Sequence, residues 1–255
     1  MLQYLWGVDM IVDAHTHLKH EDIFRTEYSP EEIVETMDRV GIDLSVVFAM
    51  SITTKRSIEM ALEAWRKFPN RLIPFVYALP SYERPVIEEL RHAITNIGFK
   101  EVKIHAGECT LAEYVIDPVI GLAEELDVPC LIDCAGRRSD IKRIAESFPN
   151  AKIIMAHFGR YLCGDEKLID KFIDLAITHK NIYLDTSGVV LTHKIREAVH
   201  KIGSNRIVFG TEGPHKDPDT VSFAAREINK IRNLNLDPED EENILGGSIL
   251  EILRI

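Results

Sequence analysis

One pattern recurs eight times along the chain: a short apolar run of strand length, then a segment with helical periodicity. The runs are Met10–His15, Leu44–Met50, Leu72–Leu79, Glu101–His105, Val128–Asp133, Lys152–His157, Asn181–Thr186 and Arg206–Thr211. The segments that follow them are Pro30–Val40, Lys55–Phe68, Pro85–Ile97, Asp117–Leu126, Ser139–Phe148, Asp165–Thr178, Thr192–Lys201 and Asp217–Arg232. A last pair, Pro238–Leu245 and Ser248–Leu253, closes the chain. Cap residues punctuate the pattern. Ser29 and Pro30 suit a helix start and Gly41 its stop, while Pro118 reads as another start. Apolar strands separated by helices require a parallel sheet buried on both faces. The even spacing and the count of eight favour a closed (β/α)8 TIM barrel over an open doubly wound sheet. An open sheet more often carries a glycine-rich phosphate turn after its first strand. Here that position holds His15-Thr16-His17, and no G-x-G-x-x-G occurs. No linker or low-complexity run divides the sequence, so one α/β domain over residues 1–255 is expected.

Charge narrows the partners. A net charge of −11 argues against nucleic acid or an anionic membrane, since both need clustered Lys and Arg. A small molecule is the expected partner, and a homo-oligomer stays open. Residues 1–8 are mildly apolar but far too short to span a bilayer. The four cysteines form no Cys-x-x-Cys pair, and no secretory leader is visible, so reduced thiols in the cytoplasm are expected.

In a (β/α)8 barrel the chemistry sits at the C-terminal ends of the strands. Strand one ends at His15 and His17, strand four at His105, strand five at Asp133 and strand six at His157. Strand seven ends at Asp185, and strand eight runs into Glu212. Chance would spread such residues over helices and lower loops as well. The clustering describes a ring of imidazoles and carboxylates around one cavity, which suits a divalent metal with N/O ligands. Lys103 and His105 share a strand face, so both suit an anionic group of a substrate. Asp185 with Ser187 suits a supporting role, holding the strand-seven loop or orienting a histidine. His20 and His215 are further candidate ligands.

These residues carry a family resemblance. Val12-Asp13-Ala14-His15-Thr16-His17, Gly98-Phe99-Lys100-Glu101-Val102-Lys103-Ile104-His105, Ala156-His157-Phe158-Gly159 and Gly210-Thr211-Glu212-Gly213-Pro214 occur in order, followed by Ile244-Leu245-Gly246-Gly247-Ser248. The chain resembles the amidohydrolase-related metal-dependent hydrolases, in the branch that includes aminocarboxymuconate semialdehyde decarboxylase. The resemblance implies one divalent metal, Zn²⁺ or Mn²⁺, on His15, His17, Asp133 and Glu212. It implies that His157 ligates or polarises substrate or water, and that Glu212 shuttles the proton of an attacking water. Two positions depart from the pattern. Asp133 stands where the family usually has His, and Glu212 where it usually has Asp. The extra methylene of Glu212 moves its carboxylate outward by roughly 1.5 Å, in a site that needs placement within ~0.5 Å. The expected activity is hydrolysis of a small amide, lactone or related carbonyl substrate. The alternatives are a metal-dependent decarboxylase, a metal-independent lactonase-like hydrolase, and a barrel that only binds a ligand or partner.

Overall fold

The computed structural model describes residues 10–255; the N-terminal apolar stretch 1–8 lies outside the described residues. In chain order come β1 (Val12–Lys19), α1 (Pro30–Val40), β2 (Leu44–Ala49), α2 (Thr54–Lys67), β3 (Leu72–Pro74), β4 (Val76–Tyr77) and α3 (Ile87–His92). Then follow β5 (Val102–His105), α4 (Glu113–Glu125), β6 (Cys130–Asp133), α5 (Arg138–Ser147), β7 (Ile153–Met155) and α6 (Glu166–Thr178). The chain ends with β8 (Ile182–Asp185), α7 (Thr192–Ile202), β9 (Ile207–Val208), α8 (Thr220–Arg232), α9 (Pro238–Glu242) and α10 (Ser248–Leu253). Among the described residues no helix is long and apolar enough to cross a membrane.

The strands pair in parallel and in sequence order, β1-β2-β3 and β4 through β9. β3 and β4 are one expected strand, Leu72–Leu79, interrupted at Phe75. The ring closes where β9 and its extension meet β1. Ala14 N–H donates to Phe209 O at 3.0 Å, His17 N–H to Gly213 O at 2.7 Å and Glu212 N–H to His15 O at 2.9 Å. The result is a (β/α)8 barrel.

Inner and outer residues alternate along each strand, as a pleated strand requires. Val102, Ile104, Cys130, Ile132, Ile153, Ile182 and Leu184 face the helices in one core. Val46, Phe48, Tyr77, Leu131, Ile154 and Val208 fill the barrel, and Ile249, Ile252 and Leu253 of α10 pack with this inner core. The inner row then continues upward into polar residues: Lys103 to His105, Leu131 to Asp133, Tyr183 to Asp185.

Several expected boundaries shift for physical reasons. β1 runs on to Lys19 rather than stopping at His15. It also carries a bulge, because Asp13 pairs with Ser45 but Thr16 with Val47. A bulge puts two neighbours on one face, so Ala14 lies in the inner core beside His15 while Asp13 turns outward to Thr211. α4 starts at Glu113, with Pro118 inside it rather than at its start. Buried Val115 and Ile116 hold its first turn despite the amide that proline lacks. The sixth expected strand, Lys152–His157, gives way at Ala156 to a tight turn through Gly159. The N-terminus of α1 follows its sequence: Ser29 caps and Glu32 reaches back to the Ser29 backbone.

Candidate active site

The floor of the barrel mouth is apolar. Phe48 lies under both β1 histidines, its ring 4.6 Å from that of His17 and 5.6 Å from that of His15. Above it, three imidazoles surround one carboxylate. Glu212 Oε2 lies 2.7 Å from His15 Nε2 and 3.4 Å from His157 Nε2. Glu212 Oε1 lies 3.1 Å from His17 Nε2. These pairs are close, yet Glu212 Oε2 and His17 Nε2 are buried atoms that make no aligned hydrogen bond. Such a set converges on a point between the residues rather than on each other. Donors about 2.1 Å from a shared ion lie about 3–3.5 Å apart; the 3.4 Å of His157 and the 3.1 Å of His17 fall in that range, and the 2.7 Å of His15 is shorter.

The tautomers are set from behind. His15 Nδ1–H donates to Asp185 Oδ2 at 2.8 Å, so its Nε2 keeps the lone pair. His157 Nδ1–H donates to the Ser187 carbonyl at 2.9 Å, which leaves Nε2 facing the site. A histidine whose far nitrogen is held this way is oriented as a metal ligand. The expected supporting role of Asp185 and Ser187 corresponds to these contacts. Backbone strain is also concentrated here. His157 and Glu212 sit at φ +57° and +65°, a left-handed region that costs a non-glycine residue about 1–3 kcal/mol. Gly210 allows the close approach: a Cβ there would meet Asp185 Oδ1 at 2.5 Å and His15 Cβ at 2.7 Å.

Electrostatics follow from burial against charge. Burial opposes ionisation of Glu212, but His15, His17 and His157 hold its carboxyl well below the usual range. Burial pushes the His157 imidazole down, and the carboxylates of Glu212, Asp133 and Asp185 overcome it, leaving it at about 9. Burial also works against ionised Asp185, yet His15 and His157 keep it down at about 2.

Three expected site residues take the following places. Asp133, read as a ligand, joins neither group of mutually close donors among the described residues. Its Oδ2 instead lies 3.3 Å from His105 Nε2 and 3.5 Å from His157 Nε2. Glu212, read as both ligand and proton shuttle, has both oxygens against imidazoles. Lys103, read as a substrate contact, is buried, and its amine donates to His15 Nε2 at 2.8 Å. A ring nitrogen has one lone pair, so a metal on His15 and this lysine contact exclude one another. His105 is the half-buried last residue of β5. Glu21 was not legible at all. It comes beside His17 and Glu212 only because the chain doubles back after β1, with His20 N–H donating to Thr26 O.

A (β/α)8 barrel with imidazoles converging on a carboxylate at its mouth has the donor set of a metal-binding barrel. The sequence model of the Amidohydrolase family matches residues 12–255, and the chain belongs to that family. Solved structures share the fold across nearly the whole chain. The 5-carboxyvanillate decarboxylase of Sphingomonas paucimobilis superposes with a TM-score of 0.74 at 14% identity, covering 96% of this chain and 99% of that one. A dihydroxybenzoic acid decarboxylase of Polaromonas, with bound manganese and the inhibitor 2-nitroresorcinol, gives 0.71 at 18% identity over 96% and 97%. A probable 2-pyrone-4,6-dicarboxylic acid hydrolase of Acinetobacter baumannii, with bound citric acid, gives 0.73 at 14% identity over 96% and 99%.

Proposed function

We propose that this protein is a metal-dependent hydrolase acting on a small amide, lactone or related carbonyl substrate. The observation that carries the metal reading is the convergence of His15 Nε2 and His157 Nε2 on Glu212 Oε2, with His17 on the other oxygen. The donor set fits Zn²⁺ or Mn²⁺. His15, His157 and Glu212 would hold the ion. Once bound, such an ion polarises a carbonyl and lowers the pKa of a coordinated water.

The remaining chemistry belongs to the chain. Asp133 and His105 form a carboxylate–imidazole couple at the ends of β6 and β5, 3.3 Å apart. His105, with Asp133 Oδ2 3.3 Å from its Nε2, takes the proton of the attacking water and returns it to the leaving group. Phe48 and the closed inner core keep bulk water from the floor.

Decarboxylation is the second reading. The same His105–Asp133 couple can deliver a proton to the carbon that loses CO₂, and decarboxylases of this fold include one with bound manganese. The two readings separate by product. Protein loaded with Mn²⁺ or Zn²⁺ is incubated with a panel of lactones and amides and a panel of hydroxybenzoates, and products are weighed by mass spectrometry. The expected result is gain of one water in a lactone or amide, abolished by chelation. CO₂ loss from a hydroxybenzoate instead would replace hydrolase by decarboxylase. Turnover that persists after complete chelation would contradict both.

A further inference from the structure

The base of the barrel, opposite the mouth, holds a buried cation that no carboxylate pairs among the described residues. Lys152 stands immediately before β7, Tyr183 is the second residue of β8, and Arg206 stands immediately before β9. These three neighbouring strand starts, with Asn205, Glu251 and Arg254, line a cavity of about 620 Å³. Leu250 and Ile252 of α10 add an apolar wall. Three cations therefore meet at one cavity of a chain whose net charge is −11. We propose that this cavity binds a small phosphomonoester, its phosphate on Arg206 and Lys152 and its organic body against Tyr183 and Leu250. The site is separate from the mouth and does not depend on the chemistry there.

Arg206 is the key residue. It is only 8% exposed, and its hydrogen bonds go to backbone carbonyls alone. Nε donates to Ile202 O at 3.2 Å and Nη1 to Ala176 O at 2.7 Å, in the last turns of α7 and α6. Nη2 makes no hydrogen bond among the described residues, and the side chain lines the cavity. Burial pulls its pKa down, yet a guanidinium stays charged in a protein. Buried charges are ordinarily paired, and a guanidinium pairs best with the oxygens of a carboxylate or phosphate. The other two cations share one carboxylate: Asp127 Oδ1 lies 2.9 Å from Lys152 Nζ, and its Oδ2 meets Arg254. Lys152, Arg206 and Arg254 against Asp127 and Glu251 leave one positive charge for an anion to answer. Tyr183 and Asn205 add neutral donors. The volume falls in the range of about 300–1,000 Å³ typical of small-molecule sites, which is more than inorganic phosphate fills. Lys152 Nζ also donates to Ile252 O at 3.5 Å, so a ligand held here ties α10 to the starts of three strands.

The test is calorimetric titration of the full-length protein, as isolated and again with a chelator, using AMP, inorganic phosphate and adenosine as probes. AMP is expected to bind one equivalent, about tenfold or more tighter than phosphate, with an affinity that the chelator leaves unchanged. Excess phosphate is expected to displace it, and adenosine is expected not to bind. Lys152→Gln is expected to weaken AMP binding about tenfold, the loss of one charge-assisted contact. Arg206→Lys is expected to weaken it at least as much, because an ammonium cannot replace the planar fork. Arg206 also holds carbonyls of α6 and α7, so Lys152→Gln, at a partly exposed side chain, tests the site even where Arg206→Lys perturbs folding. Binding of neither AMP nor phosphate would overturn the proposal, and so would wild-type AMP affinity in Lys152→Gln. AMP binding that the chelator abolishes would place the ligand on a metal at the mouth and overturn the site at the base. AMP binding no tighter than phosphate would overturn the phosphomonoester as its ligand.

Discussion

At the scale of single residues, His157 decides how the site takes up metal. Its imidazole, buried among Glu212, Asp133 and Asp185, is held at about 9 in the metal-free protein. Near neutral pH an ion must therefore displace a proton from Nε2. Raising the pH removes that proton in advance, so apparent Mn²⁺ affinity rises with pH, about tenfold per unit for one proton, and levels off above about 9. Calorimetry in buffers of different ionisation enthalpy is expected to show about one proton released per ion bound at His157. An affinity that ignores pH would place His157 outside the ligand set. The residues that sequence made legible are those whose position in a strand determines their direction. His15, His17, His105 and Asp133 end inner rows, so their meeting at the mouth could be read from spacing. The division of labour could not. Which carboxylate comes against which imidazoles depends on side-chain length and on the strand that carries it: Glu212 meets His15, His17 and His157, and Asp133 meets His105 and His157. Glu21 was invisible because a loop, not a strand period, brings it back.

At the scale of elements, the seam between β1 and the β9 extension is the structure that positions the site. The β1 bulge turns Asp13 outward, where it accepts from Thr211 N–H at 2.9 Å and from the Thr211 hydroxyl. The same bulge leaves His15 and His17 on the inside. Alternation alone gives the direction of the two histidines but not the inward Ala14, since a bulge has no periodic signature. Helix ends with strong caps, such as that at Ser29, were legible for the opposite reason: the cap is local chemistry. Pro118 misleads because tertiary burial of Val115 and Ile116 outweighs a local preference. The seam also admits no bulk at Gly210, where an added methyl would overlap Asp185 and His15. Gly210→Ala is expected to keep the barrel, by circular dichroism, while weakening Mn²⁺ binding about tenfold or more, because it shifts the group that orients His15. Wild-type Mn²⁺ affinity in this variant would show that the Asp185–His15 contact does not organise the site.

At the scale of the whole molecule, the fold is written in a pattern and the chemistry in a few positions. A barrel needs inner and outer rows of about the right size, which many sequences supply. That is why structures only 14–18% identical superpose over 96% of this chain. The same tolerance means that shared architecture does not carry substrate or reaction with it; those follow from the mouth. The mouth collects its imidazoles around Glu212, and the proposed function requires that they hold a divalent cation there. Crystals equilibrated with Mn²⁺ and measured at the manganese absorption edge test it most directly. The account predicts an anomalous peak at bonding distance from Glu212 Oε2, His15 Nε2 and His157 Nε2, with Lys103 turned away from His15. No anomalous density at the mouth, with Lys103 still on His15, would contradict it.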